Sequence, residues 1–226
     1  KPIKMPSVDT ISKLNILVSS VSKMSLQYLE QTTIQMSNVK NSVDRVAWRL
    51  YRDALALSGT GPAFNHLRNL ISNGKIKGEE AAQLISTLPS SLRYPTVQQI
   101  LNLLSLATSD NIKNQEHLNS TILLTVARLT NKAYVDKSTA HRNYPEHMYG
   151  RFGSKISIVL PQVLDVLKNN LRDAIQNKDT PRVQVLIEAL GNLGHPAILD
   201  VLVPYLKGYG LSKFLRMHII NNMNSL

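Results

Sequence analysis

Two histidines and two carboxylates lie close together in one stretch of the chain and have the chemistry to hold a metal ion. His141 and His147 fall in an irregular segment at about residues 133–153, with Asp136 and Glu146 nearby. Imidazole nitrogens and carboxylate oxygens are ligands that suit zinc and related divalent cations. Their spacing matches no known ligand motif, and histidines in surface loops are common. We therefore expect no metal in this domain, and His141 and His147 are the candidates that a metal search must test.

Residues for covalent or acid–base catalysis are poorly represented. The chain has no cysteine, which excludes thiol catalysis, disulfides and zinc–thiolate sites. It has no Gly-x-Ser-x-Gly motif, and Gly59-Thr60-Gly61 lacks the strand and the lysine of a phosphate loop. Glu79 and Glu80 are adjacent and so do not share a helix face. Both are explained by a position in the first turn of a helix, where the helix dipole favours negative charge. The sequence predicts that the chain is not an enzyme.

Positive charge is the strongest bias of the composition. The formal net charge is +11 and is spread over the whole length. Arg45, Arg49 and Arg52 are predicted to share one face of a helix, where they could bind phosphates of a nucleic acid or of an anionic membrane. No helix-turn-helix, zinc-finger or ribonucleoprotein motif accompanies them. The alternative is an ordinary solvated helix face.

One further motif and the two chain ends bear on the compartment. Asn119-Ser120-Thr121 is a sequon, so Asn119 is a candidate glycosylation site if the protein is secreted. The sequence has no run of about 18 uncharged apolar residues, so it predicts no membrane-spanning helix. The chain begins at Lys1 without an initiator methionine and ends in a helical pattern, so we expect a segment of a longer protein.

The helix that must position the arginines is the clearest in the sequence. Residues 42–57 repeat apolar side chains at helical spacing. We predict two adjacent apolar stripes, spanning roughly 200° together, so that the helix packs on two sides and the three arginines lie on the narrow remaining face. The first stripe comprises Val43, Val46, Ala47, Leu50, Ala54 and Leu57, and the second comprises Trp48, Tyr51 and Leu55.

The rest of the chain is also predicted to be helical. Turn and cap residues divide it into about ten helices, with one helix ending before Pro89 and another having Pro161 near its start or at a kink. Residues 181–207 have the build of a helical hairpin of a repeat protein. We therefore predict a single all-α domain over residues 1–226, folded as a two-layer right-handed α-α superhelix.

Several strings together resemble one family. Residues 51–56, Gly59-Thr60-Gly61-Pro62-Ala63, residues 78–82 and residues 188–196 are similar to the helical domain of the large lipid transfer proteins. That family includes vitellogenins, apolipophorins, apolipoprotein B and the microsomal triglyceride transfer protein. His141-Arg142-Asn143-Tyr144-Pro145 and Gly150-Arg151-Phe152 look most like the vitellogenins of invertebrates.

The resemblance implies a structural function within a larger lipoprotein. In the family, a helical horseshoe braces β-sheets that enclose lipid, and an N-terminal β-barrel precedes it. A protein of this kind is secreted into haemolymph, stored in yolk and taken up through a receptor of the lipoprotein-receptor type. The resemblance implies no cofactor in this domain, since lipid is bound by the parent. Two other interpretations stay open: a module that binds a receptor, glycosaminoglycan, membrane or DNA through its basic surface, and a HEAT-like intracellular scaffold.

Overall fold

Helices make up nearly all of the regular structure. The computed structural model of the chain describes residues 7–37, 41–134, 156–207 and 211–223. Within these residues it contains twelve helices and no strand, so the predicted all-α class is confirmed. The chain divides into two compact units, Lys1–Leu92 and Arg93–Leu226. The region predicted as one domain thus contains two units, each with its own core.

The first unit stacks its helices in two layers. Helices α1, α3 and α5 contact one another in succession, and α2 and α4 contact each other and both pack on α3. This is the paired, two-layer packing predicted for the chain. The five helices are α1 (Val8–Val21), α2 (Leu26–Ser37), α3 (Ser42–Leu57), α4 (Gly61–Ser72) and α5 (Gly78–Ser91).

The second unit repeats this layering. Helices α6, α8, α10 and α12 contact one another in succession; α9 packs against α6, α8 and α10, and α11 packs against α10 and α12. The helices are α6 (Val97–Thr108), α7 (Asp110–Lys113), α8 (Glu116–Tyr134), α9 (Ile156–Gln176), α10 (Thr180–Leu193), α11 (Ile198–Lys207) and α12 (Lys213–Met223).

Side-chain caps fix several helix starts where the sequence predicts them. The Thr96 hydroxyl accepts a hydrogen bond from the backbone N–H of Gln99, and the side-chain oxygen of Gln99 accepts one from the backbone N–H of Thr96. Asp179 accepts from the backbone N–H of Arg182 and begins α10. Such caps satisfy backbone groups that have no partner inside the helix.

Two proline predictions are decided by the structure. The expectation that α5 ends before Pro89 is wrong, because the helix continues through Pro89 to Ser91. The φ angle of proline is compatible with a helix, and its missing N–H removes only one hydrogen bond. After Pro89 the backbone N–H of Leu92 still donates to the carbonyl of Leu88 at 2.9 Å. Pro161 lies inside α9, which begins before it at Ile156.

The helices that sequence analysis did not resolve have weak apolar patterns. Helix α1 buries only Val21, and α2 buries only Leu29 and Thr33. Helix α7 is a single turn of four residues. They raise the number of described helices from the predicted ten or so to twelve. None of the described helices combines the length and the apolarity needed to cross a membrane.

Candidate functional site

The buried face of α3 differs from the one predicted. Tyr51 and Leu55, of the second predicted stripe, are fully buried, whereas Val43 and Val46, of the first, are 73% and 57% exposed. The prediction that the helix packs through both stripes is therefore wrong for most of the first stripe, and the second stripe faces the core. Of the first stripe, only Ala54 is fully buried. Both stripes are apolar, and only the positions of α1, α2, α4 and α5 decide which one packs inward.

Arg52 lies on this buried face and forms an ion pair with α5. Its Nη1 donates to Glu80 Oε2 at 2.5 Å and its Nη2 donates to Glu80 Oε1 at 3.1 Å. The guanidinium also lies 5.4 Å from the centre of the Trp48 ring. The prediction that Arg52 shares an exposed basic face is wrong. Its side chain is only 8% exposed. Arg52 follows Tyr51 in α3, and the orientation of the helix that buries Tyr51 also buries Arg52.

The ion pair changes the electrostatics of the neighbouring groups. The hydrogen bonds from Arg52 lower the pKa of Glu80 below its ordinary value, against the effect of burial. Burial raises the pKa of Asp53, and the nearby Arg49 and Arg52 oppose that shift. Carboxylates therefore accompany the arginines of α3. Sequence analysis explained Glu80 only by its position in the first turn of α5, but its side chain also binds Arg52.

Two of the three predicted anion-binding residues remain accessible. Arg45 and Arg49 are exposed and lie one helical turn apart on α3. A phosphate on this face would meet two guanidinium groups, while Arg52 stays bound to Glu80. The candidate anion site is thus the pair Arg45 and Arg49.

A chain of hydrogen bonds, which sequence analysis missed, joins α2, α3 and α4. The Thr33 hydroxyl lies 2.6 Å from His66 Nε2 and donates to the Tyr51 hydroxyl at 3.4 Å. Tyr51 in turn donates to the carbonyl of Leu29 at 2.8 Å. Burial lowers the pKa of His66 and raises that of Tyr51, and both shifts favour the neutral form of the group. The sequence signal was a histidine beside Leu67 and one turn before Leu70.

A second polar cluster lies inside the second unit and involves Asn119. Arg182 of α10 donates to the side-chain oxygens of Asn119, Ser120 and Asn170, with distances of 2.6 Å to Ser120 and 3.2 Å to Asn170. Asn119 Nδ2 donates to the carbonyl of Ala107 at 2.6 Å. The cluster ties α10 to α8 and α9, and α8 to α6. Burial lowers the pKa of Arg182, while Glu116 and Asp179 oppose the shift.

This arrangement bears on the predicted glycosylation site. Asn119 is only 4% exposed, and the nitrogen to which a glycan would be attached already donates a hydrogen bond. A glycan on Nδ2 in the folded chain would have to open the packing around Asn119 and displace its contact with Ala107. The geometry gives Asn119 a structural role as a link between helices.

A cavity of about 230 Å³ opens beside this cluster. Apolar side chains form part of its wall, and the amides of Asn119 and Asn170 form another part. Lys113 lies at the cavity and pairs with Asp110 at 2.5 Å. The lining residues are Ala107, Thr108, Lys113, Asn119, Leu123, Val166 and Asn170.

The two histidines predicted as candidate metal ligands lie in another part of the chain. His141 and His147 fall outside the described residues, as does most of the irregular segment at 133–153. Within the described part of the chain, no group of three or more histidine, aspartate or glutamate side chains is placed to hold a metal ion.

These features define a class of protein: an all-α chain of layered helix pairs, with polar clusters that tie the helices together. The chain belongs to the vitellogenin family, since the family model of the vitellogenin TPR domain matches residues 1–226. The family recognised from the motifs is thereby confirmed.

Insect relatives match over the whole chain. It is 41% identical over 230 residues to a vitellogenin of Bombyx mori, covering 100% of this chain and 13% of that protein. A vitellogenin of Anthonomus grandis is 35% identical, with 100% and 13% covered. Vitellogenin-A1 of Aedes aegypti is 34% identical, with 100% and 11% covered. The chain therefore spans about an eighth of the length of these relatives. No solved structure matches it.

Proposed function

We propose that the chain is the helical domain of a lipid-carrying yolk precursor and that its function there is structural. The whole-chain match to the vitellogenin family supports this. Because the chain spans only 13% of its relative from Bombyx mori, most of such a parent lies outside it. We assign lipid binding to β-sheets elsewhere in the parent, which also carries a β-barrel, and we assign neither a reaction nor a cofactor to the helices.

The observation that carries this proposal is the apolar surface of the first unit. Its first three helices expose aliphatic side chains that no described residue covers. Val43, Val46 and Leu57 lie on one stripe of α3, and exposed apolar side chains grouped in this way mark a surface that packs against another protein or another part of the chain. We infer that this surface packs against the remainder of the parent. The exposed side chains are Val8, Ile11 and Ile16 of α1, Leu26 and Ile34 of α2, and Val43, Val46 and Leu57 of α3.

Thiol labelling tests this packing directly. The chain has no cysteine, so Val46→Cys in the isolated chain introduces a single reactive thiol. Mass spectrometry of the labelled peptide then compares the isolated chain with the parent. We expect Val46→Cys to react rapidly in the isolated chain and slowly in the parent. Gln83→Cys, at an exposed polar position of α5, is the matched control and is expected to react at similar rates in both.

The result can also contradict the proposal. Equal labelling of Val46→Cys in the isolated chain and in the parent would show that this surface is not covered. The apolar face of α3 would then have no structural function in the assembly.

The basic surface supports a second element of the proposal. We propose that the parent is secreted and that the exposed pair Arg45 and Arg49 contributes to binding an acidic partner, such as a receptor with acidic repeats. The formal charge of +11 supports this, because complementary charge accelerates and orients association. Glycosaminoglycans, anionic membranes and DNA offer the same anionic chemistry and are the competing ligands.

A salt series with matched variants tests the arginine pair. Binding to heparin, anionic vesicles and duplex DNA is measured for the double variant Arg45→Gln/Arg49→Gln. The control is Lys168→Gln/Arg172→Gln, an exposed basic pair with the same spacing on α9. We expect the α3 variant to bind more weakly and with a shallower salt dependence than the control. Equal effects of the two double variants would mean that the charge acts without a specific site.

A further inference from the structure

The hydrogen-bond chain of the first unit passes through every buried position of α2. Leu29 and Thr33 are the only buried residues of that helix, and both take part: Leu29 by its carbonyl and Thr33 by its hydroxyl. We propose that His66 is an acid-sensitive latch, so that protonation of its ring releases α2 from α3 and α4. This inference concerns the fold alone and does not depend on the proposed function.

The direction of the hydrogen bonds defines what protonation does. Thr33 donates to Tyr51, and Tyr51 donates to Leu29, so each hydroxyl proton of the chain is used. With Thr33 as donor to Tyr51, His66 Nε2 donates to Thr33 and Nδ1 is unprotonated; in the other tautomer Thr33 donates to Nε2 and the ring proton is on Nδ1. Nδ1 is buried and has no hydrogen-bond partner among the described residues.

The charged form of His66 has no place in this geometry. An imidazolium donates from both nitrogens, so from either tautomer the charged ring has an N–H at Nδ1 that no described residue accepts. A buried donor without an acceptor and a buried charge both cost free energy that unfolding of the local contacts recovers. The side chain is only 4% exposed, so water reaches it only if the helices separate.

The charged neighbours do not supply a fixed counter-charge. On α2, Glu30 favours the protonated ring through space, and Lys75, just after α4, disfavours it. On α3, the group in the chain is the phenol of Tyr51, which burial keeps neutral. Burial is the largest cause and lowers the pKa of His66 from its ordinary value of 6.5.

The sign of the pH effect follows from that direction. Well above pH 6.5, the ordinary pKa of histidine, the ring is neutral in both the folded and the unfolded chain, so the latch is intact. Below that value the unfolded chain binds a proton before the folded chain does, and the stability of the α2 contact falls as the pH decreases. Helix α2 separates first because its buried contacts are those of Leu29 and Thr33.

Amide hydrogen exchange at about pH 7.5 and about pH 5, corrected for the intrinsic pH dependence of exchange, measures the release. We expect the protection of α2 in the 226-residue chain to fall by about tenfold or more, while that of α10 in the second unit stays constant. His66→Gln keeps an N–H that can reach Thr33 and has no titrating group, so its α2 protection is expected to stay constant. His117→Gln, at an exposed position of α8, is the control and keeps the wild-type response.

Two results would overturn the latch. One is unchanged protection of α2 in the wild-type chain at about pH 5. The other is an equal loss of protection in wild type and His66→Gln, which would assign the acid response to other groups. If His66→Gln does not fold, the ring of His66 is titrated by NMR in the wild-type chain. Coincidence of its midpoint with the loss of α2 protection supports the latch, and separate midpoints contradict it.

Discussion

Arg52 of α3 is held by Glu80 of α5 through two hydrogen bonds, and the two partners differ sharply in exposure. The side chain of Arg52 is 8% exposed, whereas that of Glu80 is 62% exposed. Removing the carboxylate leaves a buried cation, but removing the arginine leaves a carboxylate that water can solvate. Arg52 therefore depends on Glu80 as its hydrogen-bond acceptor, whereas water can solvate Glu80 without Arg52.

This asymmetry predicts an order of stabilities. Glu80→Ala should lower the free energy of unfolding by about 1–3 kcal/mol, because it leaves a buried charged donor without its acceptor. Arg52→Met should cost less, since an apolar side chain of similar length fills the same space. Urea unfolding measures both, with Gln83→Ala on the exposed face of α5 as the control. A larger loss for Arg52→Met than for Glu80→Ala would contradict the account.

Asn119 is predicted to stay unmodified and to stabilise the second unit. Asn119→Ala should cost about 1–3 kcal/mol, because Arg182 loses an acceptor and Ala107 loses a donor. Asn169→Ala, at an exposed position of α9, is the control and should change little. Enzymatic deglycosylation followed by mass spectrometry of the native protein tests the modification. A glycan found on Asn119 would show that the buried arrangement does not form in the mature protein.

Gly194 is predicted to tolerate no side chain, for two separable reasons. It has φ +57°, and a Cβ there would meet the side chain of Asn131, whereas Gly74 has φ +68° with nothing within 4 Å. Gly74→Ala measures the backbone strain alone, about 1–2 kcal/mol. Gly194→Ala should cost more than Gly74→Ala by thermal unfolding. Equal costs would mean that Asn131 moves aside without loss.

The register of α3 is tested by a pair of truncations. Leu55→Ala removes a fully buried side chain and should cost about 2–5 kcal/mol, whereas Val46→Ala should cost less than about 0.5 kcal/mol in the isolated chain. Leu50 is half-buried, so Leu50→Ala falls between them. Chemical denaturation measures the three variants. A cost for Val46→Ala as large as that for Leu55→Ala would mean that both stripes are packed, as expected from the sequence.

The helices could be predicted from the sequence because their ends carry local signals. Asn41, Thr96 and Asp179 act through side-chain bonds to residues three positions later, which is a relation visible in the sequence. Gly194 likewise adopts the left-handed conformation that a tight turn after α10 requires. The motifs around Gly59 and Gly191 were specific enough to indicate the family.

The polar clusters could not be predicted because they join residues far apart in the chain. Thr33 and His66 are 33 positions apart, and Arg182 and Asn119 are 63 positions apart. The prediction that both apolar stripes of α3 are packed failed for the same reason: the positions of the other helices bury the second stripe and leave most of the first exposed. An arginine beside the second stripe, such as Arg52, then becomes buried, although its local pattern is that of a surface residue.

The most direct test of the central claim is the lipid content of the isolated chain and of its parent. Both proteins are purified without detergent, and the bound phospholipid and neutral lipid are quantified by mass spectrometry. A structural helical domain is predicted to fold with far less than one lipid per chain, while the parent carries many. Stoichiometric lipid on the isolated chain would contradict the account and would make the helices themselves the lipid-binding surface.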